Sequence, residues 1–165
     1  MSACALDDRL LLLARTRAHG PGHDRIVSAF SRTGEHAASW LTLGTVGAIA
    51  AGPGERRRRW LHGVRVVAAS YAVNTAVKLA VRRPRPQLPG LPSLTPTVSK
   101  LSFPSAHATT SFTAARVYRG LLPASGLYTL AVAYALSRPY LGVHYPSDVL
   151  AGALLGTSLG AAACR

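Results

Sequence analysis

His144 stands four residues before Asp148, with Pro146 between them, and His107 follows Pro104 and Ser105. Proline suits the first position of a helix, where its missing N–H is no loss, so Asp148 falls in a first helical turn with His144 just outside it. A carboxylate there can accept the Nδ1–H of the imidazole. That contact fixes the tautomer, leaves Nε2 free to attack phosphorus and stabilises the ring cation that results. It is the part the acid plays in a catalytic triad, turned to a histidine nucleophile. His107, opening another helix beside Ser105, brings a second imidazole, so that one histidine attacks and the other protonates the leaving oxygen. Lys78, Arg85 and Arg138 complete the set: guanidinium forks and an ammonium neutralise the equatorial oxygens of a phosphate dianion, and a helix N-terminus adds backbone donors.

Other readings of the same residues are weaker. As a helix cap or dipole partner Asp148 contributes about 0.3–1 kcal/mol. However, it is the only carboxylate after Glu55, in a chain whose other acids are Asp7, Asp8, Asp24 and Glu35. His107, His144 and Asp148 would also make a two-histidine, one-carboxylate metal set. Two arginines and a lysine in the same pocket repel a cation, so no metal and no other cofactor is expected. His62, near a run of arginines, is assigned a structural part.

The elements that bring these residues together must be membrane helices. The 165 residues are 48% hydrophobic and 15% charged with a net charge of +13, which fits a single domain with an anionic partner. So apolar a chain points to a lipid phosphate and away from nucleic acid. Cys4 and Cys164 are too few for a disulfide scaffold or a cysteine zinc site. A bilayer core about 30 Å thick needs roughly 20 apolar residues of helix. Windows that approach this are 36–52, 60–81, 105–122, 120–137 and 149–164. Arg65 and Lys78 lie near the ends of the second, where their side chains can snorkel. The expected fold is therefore all-α, a multi-pass transmembrane bundle of about five spans. In it, residues 1–35 form an N-terminal interfacial segment with a short helix, and 36–165 form the membrane domain. No cleavable signal peptide is expected, because the apolar run 10–14 is short and follows Asp7, Asp8 and Arg9.

Between the second and third windows, segment 82–104 carries Pro84, Pro86, Pro89, Pro92, Pro96 and Pro104 and reads as a rigid extended loop. Gly152, Gly156 and Gly160 share one face of the last window, which predicts close packing against a neighbouring backbone. Arg56, Arg57, Arg58 and Arg59 read as a cytoplasmic topology anchor. That puts Lys78, the proline-rich loop, Arg138 and His144 together on the outer face of the cell membrane, although Arg82, Arg83 and Lys100 nearly balance the count.

Lys78, six residues, Arg85-Pro86; then Pro104-Ser105-Ala106-His107; then Ser137-Arg138, five residues, His144, three residues, Asp148: this order resembles the three-part signature of the type 2 phosphatidic acid phosphatase superfamily. The superfamily also holds vanadium haloperoxidases and bacterial polyprenyl-phosphate phosphatases. The resemblance spans residues 78–148. It implies that Lys78, Arg85, Ser105 and Arg138 bind phosphate, that His144 is phosphorylated, that His107 is the general acid and Asp148 orients His144, without a metal. Where the pattern has glycine this chain has Ala106, which keeps the backbone N–H for phosphate while its methyl narrows the approach.

The function expected is a membrane lipid phosphatase acting on a phosphomonoester or diphosphate of a polyprenyl lipid or glycerolipid. The chain is similar in length to short actinobacterial members that act on decaprenylphosphoryl-5-phosphoribose, a lipid precursor of cell-wall arabinose. The alternatives are a basic membrane protein that binds anionic lipid without chemistry, and a haloperoxidase holding vanadate. Recruitment alone requires neither His144 four residues before Asp148 nor His107 after Pro104-Ser105.

Overall fold

The computed structural model describes residues 3–164, and only the backbone of Ala3 and Cys4. The Cys4 thiol thus lies outside the described residues, while Cys164 is a free, exposed thiol. Among the described residues all regular structure is helical. In chain order it comprises α1 (Ala3–Thr16), α2 (Pro21–Thr33), a single 3-10 turn (Glu35–Ala37), α3 (Ala38–Ala50), α4 (Glu55–Val81), α5 (Ala106–Tyr118), α6 (Ala124–Tyr140) and α7 (Pro146–Ala163). Segment 82–104 is extended, with isolated bridges from Pro84 to Leu101 and from Leu88 to Leu91.

Two helices stand where one interfacial helix was expected, and both pack on the bundle. Arg15 of α1 donates to Tyr140 O (3.2 Å) and Pro92 O (2.7 Å), and Leu11 and Ser31 are buried. Of the five expected spans, α4 is the one helix long and apolar enough to cross a membrane, at 27 residues; that is about 40 Å of helix. Shorter helices have local causes. His36 and Ala37 adopt left-handed φ values of 52° and 59°, so α3 cannot start before Ala38. Gly120 and Pro123 follow α5, which stops at Tyr118, so the overlapping third and fourth windows separate into two helices. Left-handed non-glycine residues cost of order 1–3 kcal/mol each, a strain that the packing around the turn must sustain.

Helix α5 is the axis of the bundle. Its buried Thr109, Thr110 and Thr113 donate their hydroxyls back to the carbonyls of Ser105, Ala106 and Thr109 at 2.9–3.0 Å. A polar helix is thereby sealed without needing water. Trp40 of α3 donates Nε1–H to Ser111 Oγ at 2.8 Å, and Tyr118 packs tilted on Trp60 of α4 at 5.1 Å.

The glycine stripe of α7 packs as expected, and its partner is α5. A Cβ added at Gly156 would lie 2.1 Å from Thr109 O, and one at Gly152 would lie 2.6 Å from Ser105 O. These are backbone atoms that cannot step aside. The contact also fixes the site, because Ser105 N–H donates to Asp148 O (3.0 Å) across the same seam. Gly156→Ala should therefore lower stability by about 1–3 kcal/mol, the usual cost of overpacking. Gly126 of α6 has nothing within 4 Å of its would-be Cβ, so Gly126→Ala should be neutral or stabilise by up to about 1 kcal/mol. Thermal unfolding of both variants in detergent checks the contrast.

Candidate active site

Five elements end at one cavity of about 290 Å³. Lys78 comes from the last turn of α4, Arg85 from the proline-rich loop, Ala106 and His107 from the first turn of α5, Arg138 from the last turn of α6, and His144 from the loop before α7. Ser105 and Asp148 stand behind the wall and do not line it. Ser105 is the N-cap of α5, its Oγ 3.5 Å from Ala108 N. It therefore helps orient the helix end whose unpaired N–H groups serve an anion.

Lys78 and Arg85 are held by backbone carbonyls, Arg138 by a hydroxyl. Lys78 Nζ donates to the carbonyls of Leu101 (3.3 Å), Ser102 (3.1 Å) and Pro104 (3.1 Å), which pins the end of the loop against α5. Arg85 Nε donates to Ser99 O (2.7 Å), and its Nη1 to Val143 O (2.7 Å). Burial lowers the Arg85 guanidinium to about 10, against the pull of the Asp148 charge, so it stays a cation at neutral pH. Arg138 is 4% exposed, donates Nη1 to Ser31 Oγ and leaves its buried Nε without a partner.

The tautomer of His144 follows from Arg85. Arg85 Nη1 lies 3.1 Å from His144 Nε2, and a guanidinium can only donate. Nε2 is thus the bare nitrogen, and the proton sits on Nδ1, 3.5 Å from Asp148 Oδ2. This arrangement is loose but correctly ordered, as catalytic hydrogen bonds often are before substrate arrives. Burial, then the charges of Arg138, Arg85 and Lys78, keep the ring well below the ordinary histidine range. The imidazole is therefore neutral and nucleophilic at neutral pH.

Asp148 caps a helix start and faces His144. Its Oδ2 accepts from Tyr145 N–H (2.9 Å), closing the first turn of α7, and the same oxygen faces His144. His107 also reaches the cavity, with its Nε2 2.9 Å from Ser31 O. A carbonyl only accepts, so Nε2 carries a proton and Nδ1 is the nitrogen available to a leaving group. Ala106 forms part of the cavity wall, where its methyl takes up space that a glycine would leave.

The residues behind Asp148 have almost no local signature. Arg83 donates Nη1 to Asp148 Oδ1 (2.9 Å) and to Ser147 Oγ (2.7 Å), donates Nη2 to Asp7 Oδ2 (2.8 Å), and lies 4.0 Å over the Tyr145 ring. Asp7 in turn accepts from the Ser147 N–H (2.9 Å) and hydroxyl. Burial works against the Asp7 charge. The Ser147 hydroxyl, Arg83 and the Ser147 N–H outweigh it and hold the carboxyl below the usual range. Two arginines adjoining Arg85 read as a charge run, and Asp7 lies 141 positions from Asp148, so no local spacing links them; the scarcity of acids was the one available signal. Asn74 is a further one, its Nδ2 donating to Thr109 Oγ1 (2.9 Å) and Pro104 O (3.3 Å). The metal set considered from the sequence is not formed: no group of three or more His, Cys, Asp or Glu stands close enough to hold an ion among the described residues.

Residues 60–165 match the PAP2 superfamily. The chain is 44% identical over 144 residues to decaprenylphosphoryl-5-phosphoribose phosphatase of Mycobacterium tuberculosis, covering 86% of this chain and 78% of that protein. Two solved structures share the fold. Aquifex aeolicus LpxE has a TM-score of 0.76 at 24% identity, covering 96% of this chain and 94% of that one. A transmembrane PAP2-type phosphatidylglycerolphosphate phosphatase from Bacillus subtilis has a TM-score of 0.78 at 23% identity, covering 97% of this chain and 83% of that one.

If Asp148 carries charge to His144 through Oδ2, Asp148→Asn should lower kcat by a factor on the order of 10³–10⁴, the loss seen when a triad acid is neutralised. Arg83→Gln should lower kcat by about tenfold, the scale of one charge-assisted hydrogen bond, with KM little changed because Arg83 does not line the cavity. Steady-state kinetics on both variants, alongside thermal unfolding, separate this outcome from simple loss of fold.

Proposed function

The chain belongs to the PAP2 superfamily, and from that premise we propose that it is a multi-pass membrane phosphatase that removes the terminal phosphate of a polyprenyl-linked lipid through a phosphohistidine on His144. Decaprenylphosphoryl-5-phosphoribose, the substrate in the name of the M. tuberculosis relative, is the substrate proposed, which would make the enzyme a supplier of a cell-wall precursor. The observation that carries the reading is the bare Nε2 of His144, 3.1 Å from an Arg85 donor inside a ring of three cations.

The chemistry follows from the contacts. Incoming phosphate displaces Arg85 from Nε2 and takes its free donors, with those of Arg138 and the backbone N–H groups at the start of α5. Lys78, held in place by its carbonyls, adds its charge beside them. Nε2 then attacks phosphorus and the bond to the lipid oxygen breaks; His107, doubly protonated in the substrate complex with its Nε2–H still on Ser31 O, gives the departing oxygen its Nδ1 proton and is left neutral, ready to accept one from water. Asp148 holds the Nδ1–H of the ring as it becomes cationic. In the second half His107 takes a proton from water, the hydroxide attacks phosphorus, the P–N bond breaks, and inorganic phosphate leaves with His144 neutral again. The cations supply the charge stabilisation that a metal ion provides in other phosphoryl-transfer sites.

Membrane embedding is supported by the outer faces of the bundle. Ile49, Leu136, Leu150 and Leu154 are 75%, 61%, 62% and 62% exposed, while serine, threonine and histidine fill the inside of α5. The reading is five spans, α3 to α7, with α1 and α2 at the interface of the active-site leaflet. Arg56 to Arg59 open α4 at the end opposite Lys78, which supports a cytoplasmic anchor and an outward-facing site. Those apolar faces favour a lipid substrate over haloperoxidase chemistry. Neither a nucleic-acid partner nor recruitment without chemistry accounts for the His144 geometry.

Rapid quench of purified protein with a labelled lipid phosphate, in EDTA, should trap an acid-labile, base-stable phosphate on the wild type and none on His144→Ala, which should be inactive. Near wild-type turnover by His144→Ala, or activity lost in EDTA and restored by one metal, would overturn the reading. With His107→Ala, an activated aryl phosphate that needs no proton should retain turnover while an alkyl phosphate loses about 10²–10⁴-fold. Equal losses on the two substrates would remove His107 from the role of acid.

A further inference from the structure

The cavity is not cationic throughout. Its floor holds buried Arg138 and His144, whereas its rim is built from Glu35, His36 and Tyr71 on one side and exposed Pro96, Thr97 and Val98 on the other. Among the described residues Glu35 is the one carboxylate on the cavity wall; it is half-buried, its charge reaches Arg138, and its oxygens accept no hydrogen bond there. The turn that carries it is firmly set. A Cβ at Gly34 would lie 2.8 Å from the Tyr134 ring and 2.9 Å from the ring of His107, so the chain enters the turn pressed against the acid histidine. The turn leaves through two left-handed residues, His36 and Ala37, and the His36 ring is tied to the Tyr71 hydroxyl at 2.8 Å. Strained backbone is sustained where the presentation of a group matters.

An unsatisfied carboxylate at the mouth of a phosphate pocket has two consequences for what enters. It accepts hydrogen bonds from hydroxyl groups next to the phosphate being removed, and it repels a second phosphate in that place. We propose that Glu35, presented by this turn beside the His36–Tyr71 pair, selects the headgroup: it accepts hydroxyls of a sugar bonded to the departing phosphate and turns lipid diphosphates away. This inference rests on the lipid-phosphatase reading and names the residue that selects the sugar phosphate proposed there. A site built to bond a hydroxyl discriminates strongly against a substrate lacking it, because the polar group is then left unpaired.

The test compares kcat/KM for a polyprenyl-linked 5-phosphoribose and for a polyprenyl diphosphate, in wild type and in Glu35→Gln. Wild type should favour the sugar phosphate. Glu35→Gln should shift the ratio of the two toward the diphosphate by about tenfold or more, the scale of one charge-assisted hydrogen bond. On wild type alone, ribose 5-phosphate should compete at least about tenfold more tightly than butyl phosphate, a measurement that needs no folded variant. A ratio unmoved by Glu35→Gln, or butyl phosphate competing as well as ribose 5-phosphate, would overturn the headgroup site while leaving the phosphatase reading in place. Absence of phosphate release from either lipid by the wild type would instead overturn the phosphatase reading itself.

Discussion

A carboxylate with no exposed surface organises this molecule. Asp148 is fully buried, and a buried charge is tolerated only when paired and hydrogen-bonded. Its two oxygens meet that demand from separate directions, Oδ1 taking Arg83 and Oδ2 taking the Tyr145 N–H and facing His144. Its backbone carbonyl takes the Ser105 N–H, which holds the start of α7 to the start of α5. The glycine stripe of α7 lets the two helices come close enough for that bond, and so brings His107 and His144 to one cavity. Moving Asp148 would therefore disturb a helix start, a helix seam and the setting of His144 together.

The same need for partners makes the N-terminal helices part of the site. Asp7 of α1 completes Arg83, Arg15 ties α1 to α6 and the proline-rich loop, and Ser31 of α2 meets both Arg138 and His107. Asp7, Arg15 and Ser31 all lie outside the matched segment 60–165. The boundary expected at residue 35 falls where the apolar windows begin, and Ser31 on its N-terminal side contacts Arg138 and His107 beyond it.

What the sequence disclosed was governed by range. His144 and Asp148 are four residues apart across a helix start, and that local relation was readable, as was the close packing of Gly152, Gly156 and Gly160. Lys78, Arg85, His107, Arg138 and His144 were brought to one face by topology and do line one cavity. Ser105 stands as a cap behind that cavity. Helix ends were less legible, since the left-handed turn at His36 and Ala37 shortens α3 in a way that hydropathy does not register. Arg83 and Asp7 were missed because an ion pair closed over 76 residues has no spacing signature, one lying in the proline-rich loop and the other in the segment read as an interfacial helix.

The way the cations are held bears on how three of them can share one site. Three like charges in a small cavity repel, and here each is restrained by carbonyl dipoles or a hydroxyl: three carbonyls on Lys78, two on Arg85 and Ser31 Oγ on Arg138. Most of those carbonyls belong to segment 82–104 and to Pro104 at its end, whose prolines cannot donate and so leave a chain rich in exposed acceptors. The loop that hydropathy treats as a mere connector thus supplies the dipoles that offset the repulsion among these cations. Donors left unused, such as Arg138 Nε, remain for the phosphate. Preorganised in this way, the cavity need not reorganise as charge develops on the transferring group, which is where electrostatic stabilisation has its greatest effect.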